Sequence, residues 1–194
     1  MRVFFVCAVL LLTSCHKAIT DSSLPNVVID TAGFTKYTIT AGAHYAINDV
    51  YKPVETSHFY FTVQFDRSAI YQSTNPENQY DINKLYGFSD NDNRHHQYSA
   101  RFGWRWSDSA LHLFAYVYNA GKVVSQELGI VALGTKIRCG IDVTADTYVF
   151  SCNSYKQTLP RKSVTSKAEG YLLYPYFGGD EVAPHTVNIW IKEE

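Results

Sequence analysis

Residues 136–155, KIRCGIDVTADTYVFSCNSY, carry a strand register that can be worked out from the sequence alone. With a turn at Thr144-Ala145-Asp146-Thr147, an antiparallel hairpin sets Val143 against Tyr148, Ile141 against Phe150, Cys139 against Cys152 and Ile137 against Ser154. The large apolar partners then share one face. Arg138, Gly140 and Asp142 meet Asn153, Ser151 and Val149 on the other, as period-2 alternation requires of a sheet with one buried side. A slip of one residue would break both matches. A sheet with one apolar face must bury it against another layer, so the hairpin predicts a two-layer, all-β sandwich.

A second hairpin can be read in residues 97–119. A turn at Ser107-Asp108-Ser109-Ala110 pairs Trp106 with Leu111, Trp104 with Leu113, Phe102 with Ala115 and Ala100 with Val117, a continuous core face. Its other face opposes Arg105 to His112, Gly103 to Phe114, Arg101 to Tyr116 and Ser99 to Tyr118. Aromatic rings offer flat apolar faces to sugar C–H bonds, and guanidinium groups offer forked donors to hydroxyl or carboxylate oxygens. An ordinary sheet surface laced with cation–π pairs is the alternative. Residues 58–65 alternate strictly, with Phe59, Phe61, Val63 and Phe65 inward and Tyr60, Thr62 and Gln64 outward. The expected ligand face therefore carries Arg101, Arg105, His112, Tyr116 and Tyr118, with Tyr60 and Gln64 on a neighbouring strand. Residues 121–133 predict one strand or two, residues 68–72 a short strand, and residues 186–192 a closing core strand through Val187, Ile189 and Ile191.

The chain of 194 residues suits one domain able to bury its own core. An aromatic content of 15%, with 15 Tyr and 11 Phe, agrees with strands. A formal net charge of −1 with no basic run leaves no electrostatic footprint for nucleic acid. The N-terminus differs from the rest: Met1-Arg2 precedes an apolar run at residues 3–12, too short to span a bilayer and suited to an export signal. Leu12-Thr13-Ser14-Cys15 resembles the lipobox of bacterial lipoproteins. That resemblance implies cleavage after residue 14, a lipid on Cys15, a membrane anchor in the cell envelope at the outer membrane, and a tether at residues 15–33 ahead of a sandwich at residues 34–194.

Cys7 would leave with the signal and Cys15 would carry lipid, so Cys139 and Cys152 remain in the domain as cross-strand neighbours. Outside the cytoplasm such a pair can form a disulfide; two buried thiols acting as small hydrophobes are the alternative. Asp90 and Asp92 have the spacing that opens a calcium loop, but Arg94 stands where a third oxygen ligand is wanted and no distal Glu completes the pattern, so a solvated turn competes with calcium. No other metal set is evident. Asp180, Glu181 and His185 gather beside Gly178-Gly179 as a further polar cluster.

The hairpin at 136–155, the aromatic hairpin before it, and Tyr174-Pro175-Tyr176-Phe177-Gly178-Gly179 followed by Pro184-His185 and a strand together resemble the concanavalin A-like jelly-roll sandwich. The resemblance spans residues 34–194 and implies a polysaccharide or oligosaccharide on a concave sheet face. The Glu-x-Asp-x-x-Glu strand of the retaining glucanases on this fold is absent. The alginate-lyase-like family neutralises a uronate with Arg and Gln and moves protons with His and Tyr. Arg101, Gln64, His112, Tyr116 and Tyr176 supply those residue types without the Arg-Ser/Thr-Glu-Leu or Gln-Ile-His spelling. The sequence therefore leads to a lipid-anchored glycan-binding protein, with a polysaccharide lyase acting through His112, Tyr116 or Tyr176 and a structural envelope scaffold as alternatives.

Overall fold

The computed structural model describes residues 27–194; the expected signal peptide and Cys15 lie outside them. From the N-terminus the strands are β1 (Thr35–Ile39), β2 (Ala46–Ile47), β3 (Pro53–Thr56), β4 (His58–Phe65), β5 (Asn83–Ser89), β6 (Tyr98–Ser107) and β7 (Ala110–Asn119). They continue with β8 (Lys122–Val131), β9 (Ile137–Val143), β10 (Thr147–Cys152), β11 (Tyr155–Pro160), β12 (Ala168–Leu173) and β13 (Val187–Glu193). Two antiparallel sheets result: seven strands in the order β11-β10-β9-β4-β13-β1-β2, and six in the order β3-β12-β5-β6-β7-β8. This is a concanavalin A-like jelly-roll sandwich, the fold class expected from the two hairpins.

Both hairpins adopt the derived registers. In β9 and β10, Val143 opposes Tyr148, Ile141 opposes Phe150 and Cys139 opposes Cys152. The ladder ends there, so the expected pairing of Ile137 with Ser154 does not form, and on its other edge Ile137 pairs with Val63 of β4. The cause is Asn153, whose φ of 49° turns the chain at once into β11, a strand that the unpatterned letters of 155–160 conceal. Cys139 and Cys152 are free, buried thiols facing one another. In β6 and β7 the ten-residue ladder runs from Tyr98–Asn119 to Ser107–Ala110, closed by Asp108 and Ser109 at φ 53° and 61°, the left-handed pair that a two-residue hairpin turn needs. Residues 121–133 form the single strand β8, bulged between Leu113 and Phe114 of its partner. Residues 67–69 form a 3-10 turn in place of the expected short strand, capped by the Asp66 carboxylate accepting from Ser68 N.

The high aromatic content is spent between the sheets. Phe61 of β4 meets Phe102 of β6 edge to face, with centroids 5.4 Å apart and planes at 84°, and Phe102 meets Phe150 of β10 at 5.3 Å and 74°. All three are fully buried, so one chain of edge-to-face rings crosses the interlayer twice.

At one end of the sandwich, Asp90 has the occupant that a calcium loop would have required to be a cation. Its carboxylate takes Arg161 Nε at 2.8 Å and Nη2 at 3.1 Å, accepts Ser163 Oγ at 2.7 Å, and also accepts the Tyr148 hydroxyl. Both side chains of this ion pair are wholly buried. Asp92 donates its backbone N–H to Glu169 O at 2.7 Å.

Residues 27–33, expected in the tether, lie on the outer face of the seven-stranded sheet. Gln64 Nε2 donates to Asp30 O at 2.7 Å, and Lys136 Nζ reaches the Asp30 carboxylate at 2.6 Å.

Candidate functional site

On the outer face of the six-stranded sheet, the pairings line up side chains in rows. One row runs Leu173, Gly87, Arg101, Tyr116 and Ser125; the next runs Lys84, Gly103, Phe114 and Glu127. Gly87 is obligatory in its row, because a Cβ there would come within 2.3 Å of Ala100 O and 2.4 Å of Arg101 Cα. The notch lets β5 and β6 approach closely and seats Arg101 between neighbours. Gly103 makes room for Ile82, whose Cγ2 lies 2.4 Å from where a Cβ would stand.

Above these rows opens a cleft of about 550 Å³. Lys84 and Arg101 contribute its cations, His95, His96, Tyr118, Tyr171 and Tyr176 line it, and Tyr45 and Tyr51 come from the segment after β1. Asp49 and Asp180 line it as well. Arg101 is only 6% exposed, and its Nε has no hydrogen-bond partner. Among the described residues neither Arg101 nor Lys84 forms an ion pair. What they share is the Tyr116 ring beneath them, 5.9 Å from the guanidinium and 5.5 Å from the ammonium. Such contacts offset only part of the cost of holding two cations away from water. Burial accordingly pulls Arg101 down to about 10. Burial, with the Arg101 charge beside it, pulls Lys84 down to about 8.

Lys84 is aimed by the closing segment. Its backbone exchanges hydrogen bonds with Tyr176, N to O at 2.8 Å and O to N at 3.0 Å, and its Nζ donates to Gly178 O at 2.9 Å. Gly178 sits at φ 84°, where the Glu181 carbonyl oxygen would be 2.0 Å from a Cβ, so the turn requires glycine. Tyr176 stacks on His44 with planes 10° apart. Tyr171 Oη accepts the His95 backbone N–H at 3.1 Å and lies 2.9 Å from His95 Nδ1. Burial first, then the charges of Arg101 and His96, hold His95 down to about 4, so its imidazole is neutral near pH 7.

The structure divides the residues singled out from sequence. Arg101, Tyr118 and Tyr176 line the cleft, and Tyr116 supports Arg101 from behind. Arg105 and His112 share the same sheet face two rows away but serve structure: Arg105 Nη1 donates to Tyr80 O at 2.9 Å with its guanidinium over Phe114, and His112 Nδ1 lies 2.7 Å from Glu127 Oε1. Tyr60 and Gln64 do not neighbour this hairpin at all. β4 belongs to the seven-stranded sheet, where Tyr60 donates to Asp142 and Gln64 holds Asp30. Strict alternation shows that one face of a strand is buried without saying which sheet the strand joins, and that is why they were misplaced. Gln64 and His112 thus stand apart from Arg101, Tyr116 and Tyr176. Of the polar cluster near Gly178, Asp180 lines the cleft, Glu181 accepts Asn75 N at 2.7 Å and Thr74 N at 2.8 Å, and His185 Nε2 contacts Ser68 O at 2.9 Å. Lys84, His95, His96, Tyr45, Tyr51 and Tyr171 were missed. The His95-His96 pair, five residues ahead of Arg101, was the one local signal for them.

The sequence matches no protein-family profile and no curated protein at a significant level. Its fold is similar to that of the alginate lyase AlyC3, with a TM-score of 0.53 at 11% identity over 83% of this chain and 74% of that one. A functionally unknown protein from Saccharomyces cerevisiae gives a TM-score of 0.51 at 14% identity, over 88% of this chain and 94% of the other. A GH16 enzyme of the Bacteroides ovatus mixed-linkage glucan locus gives 0.51 at 10% identity, over 86% and 87%. At these identities the likeness shows the fold alone, a jelly-roll sandwich of the concanavalin A-like type.

Proposed function

We propose that this protein binds an acidic polysaccharide in the cleft of the six-stranded sheet, as an exported protein anchored through a lipid on Cys15. The observation that carries the ligand chemistry is the pair of cations: Arg101, 6% exposed with an unpartnered Nε, beside Lys84, neither of which forms an ion pair among the described residues. A ligand carboxylate or sulfate seated there would supply the missing counter-charge, and the surrounding tyrosines suit sugar rings. Two proteins of similar fold are named for work on polysaccharides, an alginate lyase, also solved with dimannuronate, and a glucan hydrolase. The test is calorimetric titration of the mature domain with uronate-containing, sulfated and neutral polysaccharides. Binding of the acidic ones, weakened at least tenfold by Lys84→Gln, is expected. Binding that ignores charge, or that survives both Lys84→Gln and Arg101→Gln, would overturn it.

A second reading, cleavage of a uronate chain by elimination, rests on His95. Its imidazole, unprotonated near pH 7 though only weakly basic, lies beside the Tyr171 hydroxyl and lines the cleft, whereas His112, bound to Glu127, is not among the lining residues. Release of unsaturated, ultraviolet-absorbing product, abolished by His95→Gln, would select this reading over binding alone.

A further inference from the structure

The segment after β1 leaves two tyrosine rings in water at the mouth of the cleft. Tyr45 is 66% and Tyr51 79% exposed, and both line it. Exposed rings forgo the gain of burying their apolar surface. Backbone hydrogen bonds tie down the chain at Tyr45 and, next to Tyr51, Lys52 O accepts Leu172 N at 2.9 Å. The Tyr45 backbone bridges to Tyr176, Ala46 N donates to Pro175 O at 3.3 Å, and Phe177 N donates to His44 O at 2.8 Å. The Tyr45 ring stands edge-on to Tyr176 with centroids 5.0 Å apart, and Tyr51 lies 6.1 Å from Tyr171 with planes 33° apart.

The supporting rings fix where these platforms stand relative to the cations. Tyr176 bridges to Lys84 at one end of β5, whereas Tyr171 N donates to Ser89 Oγ at the other, with the Gly87–Arg101 row between. Because of the bulge in β5, Lys84 and Ser89 pair with Gly103 and Ser99 of β6, four residues apart, so the two supports stand about 13 Å apart, longer than one sugar ring. The Tyr176 support stands level with Lys84 and the Tyr171 support beyond the Gly87–Arg101 row, so an aromatic platform lies on each side of Arg101 along the cleft.

We propose that Tyr45 and Tyr51 are stacking subsites for the sugars flanking an acidic residue held by Lys84 and Arg101, so that the smallest ligand filling the site is an acidic trisaccharide. The proposal rests on the acidic-glycan reading above and adds length and residue assignments to it. Rings standing face-on to sugar C–H surfaces contribute affinity without charge, so they select for chain length while the cations select for acid groups.

The experiment is titration of the mature domain with uronate oligosaccharides of one to five sugars, using wild type, Tyr45→Ala, Tyr51→Ala and the corresponding Phe variants. Both positions are exposed, and thermal melting confirms that each variant is folded. Affinity is expected to rise steeply up to the trisaccharide and then level off. Each Ala variant should lose about three- to tenfold for the trisaccharide and nothing for the monosaccharide, and each Phe variant should match wild type. Binding that is independent of length, or Ala variants that match wild type on the trisaccharide, overturns the subsite proposal and leaves the acidic-glycan reading intact. Failure of wild type to bind any member, or any sulfated oligosaccharide of the same lengths, overturns both.

Discussion

Replacing Asp90 with Ala strands the Arg161 guanidinium in a place where water cannot reach it. Arg161 keeps Thr165 O at 2.6 Å, Lys167 O at 2.9 Å and Thr144 O at 3.2 Å, which solvate the cation but do not neutralise it. The Tyr148 hydroxyl and Ser163 Oγ lose their acceptor in the same step. Breaking a buried pair by removing one partner costs about 3–5 kcal/mol, and the remaining carbonyls favour the lower part of that range. For a chain of this size each kcal/mol moves the melting temperature by about 2–4 °C, so a drop of about 6–20 °C is expected in calorimetry. The double variant Asp90→Leu/Arg161→Met should recover much of the loss, because it removes the stranded charge along with its partner. Acid should mimic the single substitution. Burial pushes the Asp90 pKa up, but the Arg161 guanidinium and the Tyr148 and Ser163 hydroxyls outweigh it and hold the carboxyl below its ordinary value of 3.8. The folded state therefore binds its proton later than the unfolded state, so the stabilisation is complete above that value and is lost as pH falls beneath it. A loss below about 1 kcal/mol for Asp90→Ala in urea titration, or a double variant worse than either single, would refute the account of Asp90 as the clamp at this end of the sandwich.

Lys84, held down to about 8, gives opposite trends in binding and stability. Acidic-glycan affinity should fall as pH rises through that value, because the ammonium discharges. Stability to urea should rise between that value and the unfolded 10.5, because there the unfolded chain binds the extra proton. Gly87→Ala should cost about 1–3 kcal/mol by forcing β5 from β6, and should weaken glycan binding further by displacing Arg101, both measurable on one protein sample. Burial pushes the Cys139 thiol well up and both cysteines are enclosed, so a thiol reagent should label neither in the native reduced protein and both after denaturation; prompt labelling before unfolding would contradict the packing.

The fold was legible wherever two rows of side chains had to match at once. In the 136–155 and 97–119 hairpins, Cys139 against Cys152 and Trp104 against Leu113 leave no alternative register. Arg101 could be placed on the outer face for the same reason. Lys84 could not, because the register between β5 and β6 shifts between Lys84 and Gly87 and turns Leu85 and Tyr86 together into the core. No alternation rule anticipates that bulge. The remaining cleft residues come from segments near 45–51, 95–96 and 171–176, whose meeting depends on sheet order, a long-range property that local periodicity does not encode. The same gap misassigned Tyr60 and Gln64.

The strap at residues 27–33 crosses the face opposite the cleft, held by Gln64 and Lys136. A polymer gripped at Arg101 and a chain held at its N-terminus would therefore pull on the molecule through its thickness. The load would run across the interlayer of about 10 Å, perpendicular to the strands, and would test the interlocked rings of Phe61, Phe102 and Phe150 more than the hydrogen-bond ladders. Seen as a mechanical part, the sandwich is a rivet through its own core, with its open jaw turned outward from whatever holds its tail.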